Sequence, residues 1–107
     1  MPFFDRQTET MPREELRHVQ VHKLAAMLEG IVGRNRFYSE KMHHAGVTPE
    51  DIRSLEDLAR LPLTTKDELI EAAVAFPPFG SNLTFREGAY TRIHQTSGTT
   101  GRPLKVV

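Results

Sequence analysis

The sequence has no cysteine and no tryptophan among its 107 residues, and it has no excess of either charge. The lack of cysteine excludes disulfides, thiolate metal sites and a cysteine nucleophile. The 14 basic side chains are balanced by 14 acidic ones, which argues against nucleic-acid binding through a broad basic face. No apolar run approaches the roughly 18 residues of a membrane span, and the polar N-terminal stretch is not a secretory signal. We therefore expect a cytoplasmic protein that binds neither nucleic acid nor membrane.

The length fits one small domain. The first part of the sequence predicts helices. Residues 1–11 are interpreted as a flexible leader, and Pro12 suits the first turn of a helix. Apolar residues then recur at helical spacing up to a stop at Gly33. We expect this face to be only partly buried, because Gln20 and Lys23 interrupt it. Its members are Leu16, Val19, Leu24, Met27, Leu28 and Ile31.

Further short helices follow, each marked by its own start or stop signal. The segment 36–44 is predicted to be helical and to end at Gly46, with Phe37, Tyr38 and Met42 as its apolar anchors. Thr48 before Pro49, and Ser54 with Asp57 three residues later, resemble helix caps. Thr65 with Glu68 forms a capping-box pattern that opens a helix through about Val74.

The last third of the chain changes character. "FPPFGSNL" ends the helical pattern, and "AYTRIHQ" alternates as a strand does, with Tyr90, Arg92 and His94 on one face. "LKVV" predicts a second strand, and "TSGTTGRP" joins the two. The fold class expected for this chain is α+β, within a larger α/β domain. It consists of N-terminal short helices followed by a β-hairpin that carries a loop.

That loop has the composition of a phosphate site. Gly98 and Gly101 allow positive φ and close approach of the backbone, so that successive N–H groups can converge on one anion. Further contributions would come from three hydroxyls and two cations: Ser97, Thr99, Thr100, Arg102 and Lys105. It is not a Walker A loop, because only two residues separate the glycines. A generic Ser/Gly loop is more often a plain turn, whereas the ordered string S-G-T-T-G-x-P favours phosphate binding.

"TSGTTGRP" resembles the phosphate-binding loop of the adenylate-forming superfamily. Together with "MPREEL" and "NRFYSEKMHHAGVTPEDIRSLEDLARLPLTTKDEL", it resembles the N-terminal part of phenylacetate–coenzyme A ligases, in order from about Pro12 to Val107. The resemblance implies that residues 12–107 are an incomplete AMP-binding domain. It further implies an enzyme that activates an aryl acid such as phenylacetate with ATP to an acyl-adenylate. Coenzyme A then displaces AMP to give the thioester.

The resemblance also implies which residues contact ATP. Carried over by position, the phosphate contacts are Thr96, Ser97, Gly98, Thr99, Thr100 and Gly101. His94 is a further candidate contact to phosphate or substrate carboxylate, or it supports the turn. Many superfamily members have Lys directly after the loop proline; here Leu104 stands there and Lys105 follows, so Lys105 faces the other way if it lies in a strand. The cofactors implied are ATP, Mg²⁺ held by residues beyond this chain, and coenzyme A as co-substrate.

No catalytic residue and no metal site are predicted within the 107 residues. His18 and His22 could share a metal on a helix, but the sequence suggests no third ligand. Because the family's adenine, Mg²⁺, carboxylate and catalytic-lysine segments would follow Val107, we expect an N-terminal fragment that is inactive alone. A homodimer is compatible with exposed strand edges. The alternative is a non-catalytic binding or accessory module, or a degenerate ligase remnant.

Overall fold

A computed structural model describes residues 2–98 and 101–107. We call the described residues up to 76 the helical region and those from 77 onwards the hairpin region. The chain forms four α-helices, three short 3₁₀ helices and two strands within these residues. In order they are α1 (Arg6–Glu9), α2 (Arg13–Ile31), α3 (Arg36–Ala45), 3₁₀ turns at Pro49–Asp51 and Leu55–Arg60, α4 (Lys66–Ala75), a 3₁₀ turn at Glu87–Ala89, β1 (His94–Gln95) and β2 (Lys105–Val106).

The N-terminal stretch contains one helical turn, α1, that the sequence did not predict. The Asp5 carboxylate accepts a hydrogen bond from the Thr8 N–H at 3.2 Å, which caps this turn. The Glu9 carboxylate accepts from the N–H groups of Phe4 and Asp5 at 2.9 and 2.8 Å. These bonds satisfy backbone donors that a helix start leaves unpaired. The flexibility of residues 1–11 stays a prediction.

Helices α2 and α3 lie where the sequence predicts them. Helix α2 follows Pro12, and its end is followed by Gly33, whose φ of +86° is a conformation that favours glycine. Helix α3 begins after Asn35 and ends at Gly46, which is in the left-handed conformation. The apolar face of α2 is only partly buried, as expected. Leu28 is 3% exposed, whereas its neighbour Met27 is 54% exposed.

All three cap patterns form capping boxes, in which a carboxylate accepts the N–H of the residue before the helix. These N–H groups belong to Thr48, Ser54 and Thr65, and the partners are the carboxylates of Asp51, Asp57 and Glu68 at 2.9, 3.0 and 2.7 Å. The first two boxes open 3₁₀ helices and only the third opens an α-helix.

The core of the helical region lies where α2 and α3 meet the segment that follows them. Four buried side chains form it: Leu28, Met42, Val47 and Ile52. Lys41 connects this core to α4, because its ammonium donates to the Leu63 carbonyl and to the Glu68 carboxylate, each at 2.6 Å. Burial of these apolar groups is the main stabilising contribution in this region.

The hairpin region differs from the prediction in the length of its first strand. The alternation in 89–95 predicted one continuous strand, but β1 contains only His94 and Gln95, and a 3₁₀ turn occupies Glu87–Ala89. β2 is the only strand that pairs with β1 in the described residues, and it is equally short, so residues 91–93 have no ladder to join. The pairing is antiparallel, with His94 opposite Val106 and Gln95 opposite Lys105.

Large apolar side chains remain in contact with solvent. The most exposed include Leu63 at 90%, Val74 and Ile93 at 63% each, and Phe85 at 57%. None of the helices that the structure describes is long and apolar enough to cross a membrane.

Candidate phosphate-binding site

Two hydrogen bonds between Thr96 and Leu104 close the candidate loop at its base. The Thr96 N–H donates to the Leu104 carbonyl at 2.9 Å, and the Leu104 N–H donates to the Thr96 hydroxyl oxygen at 2.8 Å. The side chain of Leu104 is 8% exposed, which anchors this end of the loop. Thr96 was predicted as a phosphate contact at the loop's entrance. Its oxygen accepts the Leu104 N–H, and its hydroxyl hydrogen remains to donate to a ligand, so the phosphate contact stays a prediction.

The first glycine of the loop is required by its geometry. Gly98 has φ of +70°, a left-handed conformation that favours glycine, and its carbonyl accepts from the Gly101 N–H at 3.1 Å. A Cβ atom at this position would lie 3.0 Å from both the nitrogen and the Cδ of Pro103. The first glycine and the proline of the S-G-T-T-G-x-P string therefore have a steric basis, because Pro103 packs against Gly98, whose positive φ favours glycine.

The structure describes only some of the other residues that were predicted to contact phosphate. Ser97 and Gly101 are exposed at the loop surface, where a ligand can reach them. Thr99 and Thr100 lie outside the described residues. Their roles, like those of the rest of the loop, stay predictions that rest on the resemblance.

His94 and Lys105 do not lie on one face of the hairpin. Each is exposed, and their cross-strand partners are Val106 and Gln95 respectively. Residues directly opposite each other share a face, and successive residues of a strand alternate. His94 and Lys105 therefore project to opposite sides. The expected orientation of Lys105 away from Leu104 is confirmed, since Leu104 is buried and Lys105 is exposed.

The start of α4 lies beside the loop, which sequence reasoning missed. An open cleft of about 340 Å³ is lined by Lys66, Asp67, Ile70 and Glu71 of the helix and by Gly101 and Arg102 of the loop. The capping-box pattern predicted where α4 begins, but it contained no signal that the first turns of this helix face Gly101 and Arg102 in the loop. The cleft brings the cations of Lys66 and Arg102 together with two carboxylates.

The electrostatic effects that the structure resolves lie away from the loop. A hydrogen bond from the Lys41 ammonium lowers the pKa of Glu68, and bonds from backbone N–H groups lower the pKa values of Asp51 and Asp57. These are structural carboxylates at helix starts. The described residues include no group of three or more His, Asp or Glu side chains placed to hold a metal ion.

Known proteins resemble this chain along most of its length, although no family model matches it. Phenylacetate–coenzyme A ligase from Thermus thermophilus is 41% identical over 98 residues, and the Escherichia coli enzyme is 37% identical over 98 residues. Each match covers 92% of this chain and 21% of the relative. The resemblance predicted from the sequence is therefore confirmed, and the chain spans about a fifth of the length of the relatives it matches.

Solved structures give the same result for the fold. A 2-hydroxyisobutyryl-CoA ligase in complex with 2-HIB-AMP and CoA superposes with a TM-score of 0.84 at 36% identity, over 92% of this chain. The same ligase in a postadenylation state gives 0.85 at 31% identity, over 98% of this chain. These matches cover 21% and 23% of the ligase chains. The helices and the small antiparallel sheet thus have the fold of part of an acyl-CoA ligase.

Proposed function

We propose that this chain is part of an ATP-dependent, AMP-forming carboxylate–CoA ligase and supplies the loop that holds the ATP phosphates. The observation that carries the proposal is the 41% identity to a phenylacetate–coenzyme A ligase, which continues through nearly the whole chain. The acid we propose is an aryl acid such as phenylacetate. It would react with ATP to give an acyl-adenylate and pyrophosphate, and CoA would then displace AMP.

The hairpin supports a phosphate role for the loop. Gly98 and Gly101 bend the backbone so that nearby N–H groups can face one anion, and Ser97 is exposed at the start of the bend. Donors fixed in this way would neutralise charge on the departing pyrophosphate and hold the triphosphate in line for attack by the carboxylate. Arg102 adds a cation at the edge of the adjoining cleft.

The same proposal assigns the remaining parts of the reaction to other polypeptide. Mg²⁺ would be held largely by ligands outside these 107 residues, since it commonly binds one or two carboxylates together with substrate phosphates. Residues 12–107 would then form an incomplete AMP-binding domain, in the cytoplasm, within an enzyme that can form a homodimer. The rest of such a domain would be expected to cover some of the exposed apolar side chains, which include Leu63, Val74 and Ile93.

A chimera tests the proposal directly. This chain would replace the matched fifth of the Thermus thermophilus relative, and phenylacetate-dependent exchange of pyrophosphate into ATP would be measured. We expect exchange by the chimera and none by the isolated 107-residue chain. Ser97→Ala should lower exchange by about tenfold, as expected for one hydrogen bond to a charged group. The matched control is Ser81→Ala, which removes a hydroxyl outside the loop.

The results that would contradict the proposal are equally definite. A folded chimera without exchange, or a Ser97→Ala chimera as active as the Ser81→Ala one, would refute the role of this loop in adenylation. Aryl-acid-dependent exchange by the isolated chain would instead refute its dependence on other polypeptide.

A further inference from the structure

The Tyr90 side chain is hydrogen-bonded to the backbone of the segment that precedes it, a few residues before β1. It accepts hydrogen bonds from two successive backbone N–H groups, those of Thr84 at 2.9 Å and Phe85 at 3.1 Å. The Tyr90 ring also contacts the Phe85 ring edge to face, with centroids 6.2 Å apart. One side chain thus fixes a turn five to six residues upstream of itself, using donors that would otherwise need water or another partner.

The same turn is fixed from the helical region by Asn35. This residue is 3% exposed, and its amide N–H groups donate to the Asn82 side-chain oxygen at 2.9 Å and to the Thr84 hydroxyl at 3.2 Å. Its side-chain oxygen accepts from the Tyr38 N–H and caps α3. Residues 82–85 are therefore held on one side by the start of α3 and on the other by Tyr90.

The stretch after Tyr90 has little to hold it. Thr91, Arg92 and Ile93 are exposed and belong to no helix or strand. β1 begins directly afterwards, and Thr96, which closes the loop, follows two residues after His94. Among the described residues, the bonds at Tyr90 are thus the last side-chain hydrogen bonds on the N-terminal side of the loop. They join Tyr90 to Thr84 and Phe85, and the Asn35 side chain links Thr84 in turn to the helical region.

We propose that Tyr90 is a positioning residue for the phosphate-binding loop: through its hydroxyl, it fixes the start of the β1 segment against Thr84 and Phe85, and hence where the loop donors face. This inference rests on the proposed function of the loop. Tyr90 itself does not contact the ligand, so it acts by limiting the conformations that the loop has to give up on binding.

The chain offers a matched pair of variants, because it contains only two tyrosines. Tyr90→Phe removes the hydroxyl and keeps the ring. Tyr38→Phe makes the same change at a hydroxyl that forms no hydrogen bond among the described residues. Each variant of the 107-residue chain would be titrated with pyrophosphate and followed by NMR. We expect Tyr90→Phe to weaken binding by roughly fivefold, the factor of one net hydrogen bond, and Tyr38→Phe to leave it unchanged.

Amide hydrogen exchange gives a second measurement that does not depend on a ligand. Tyr90→Phe should speed exchange at the Thr96 and Leu104 N–H groups, which close the loop, and leave that of Val32 in the helical region unchanged. A purely structural role would lower protection in both regions together and would leave the affinity of the folded chain unaltered.

The outcomes separate the two proposals. If wild type does not bind pyrophosphate, the proposed function of the loop fails, and exchange at Thr96 and Leu104 still decides whether Tyr90 positions it. If wild type binds and Tyr90→Phe binds equally well, or if exchange rises uniformly in the helical and hairpin regions, the positioning role of Tyr90 is refuted.

Discussion

The helical region and the hairpin region are held together by different kinds of contact. The helical region has a core of four buried apolar residues, long runs of helical hydrogen bonds and three capping boxes. The hairpin region has two strands of two residues each and depends on individual side-chain bonds at Thr96, Tyr90 and Asn35. A two-stranded hairpin is marginal by itself, so its position is set by a few contacts with the rest of the chain.

The largest effect is expected in the core of the helical region. Leu28→Ala should lower the free energy of unfolding by about 2–5 kcal/mol, because it removes buried methyl groups and leaves a cavity. Urea unfolding followed by circular dichroism measures this change. Met27→Ala is the control on the same helix. Because Met27 is 54% exposed, its truncation should cost far less. Equal losses for the two variants would contradict the assignment of the core.

The same contrast explains how much of the fold the sequence predicted. The C-terminal end of α3 and the start of α4 follow from Gly46 and Thr65, whose effects act within one helical turn. The strand predicted for 89–95 was wrong over most of its length, because a strand exists only where a partner strand pairs with it. An alternating pattern indicates which residues suit a strand, but it does not indicate how long the partner strand is.

The candidate site shows the same division. The loop could be proposed from the sequence because its residues are contiguous and ordered, from Ser97 to Pro103. The cleft beside it was not found, because Lys66 and Arg102 come together only through the fold. The closing bond between Thr96 and Leu104 was missed for a similar reason: a threonine hydroxyl is equally suited to a phosphate and to a backbone N–H.

A smaller effect, confined to the hairpin region, is expected at Gly98. Gly98→Ala should cost about 1–2 kcal/mol, because φ of +70° is strained for any residue with a Cβ and the added atom would lie 3.0 Å from Pro103. We expect weaker pyrophosphate binding and faster exchange at the Thr96 N–H, with the helical region unchanged. Gly88→Ala is the control, since a Cβ there meets nothing within 4 Å. If the two variants bind pyrophosphate equally, the loop does not need this turn.

The smallest effect concerns the charges at the helix starts, which belong to the helical region alone. The pKa of Asp57 lies below its ordinary value, chiefly because its carboxylate accepts the Arg53 N–H at 2.9 Å. Because the pKa of Asp57 is lower in the folded state, its ionised carboxylate stabilises the fold fully at pH values above the ordinary carboxyl pKa. This stabilisation is lost as the pH falls through the lowered pKa of the folded state. As the pH is lowered from about 6 through the ordinary carboxyl range and below it, the thermal midpoint should therefore fall.

The comparison of two neutralised carboxyls tests this origin of the acid sensitivity. Asp57→Asn should make the thermal midpoint less dependent on pH, because a group that no longer titrates cannot lose its charge. Asp67→Asn changes a carboxylate that forms no hydrogen bond among the described residues, and it should leave the pH dependence close to that of wild type. If both variants keep the full dependence, the capping boxes are not its source. If Asp57→Asn reduces it, part of the acid sensitivity originates at a helix start and not in the hairpin region.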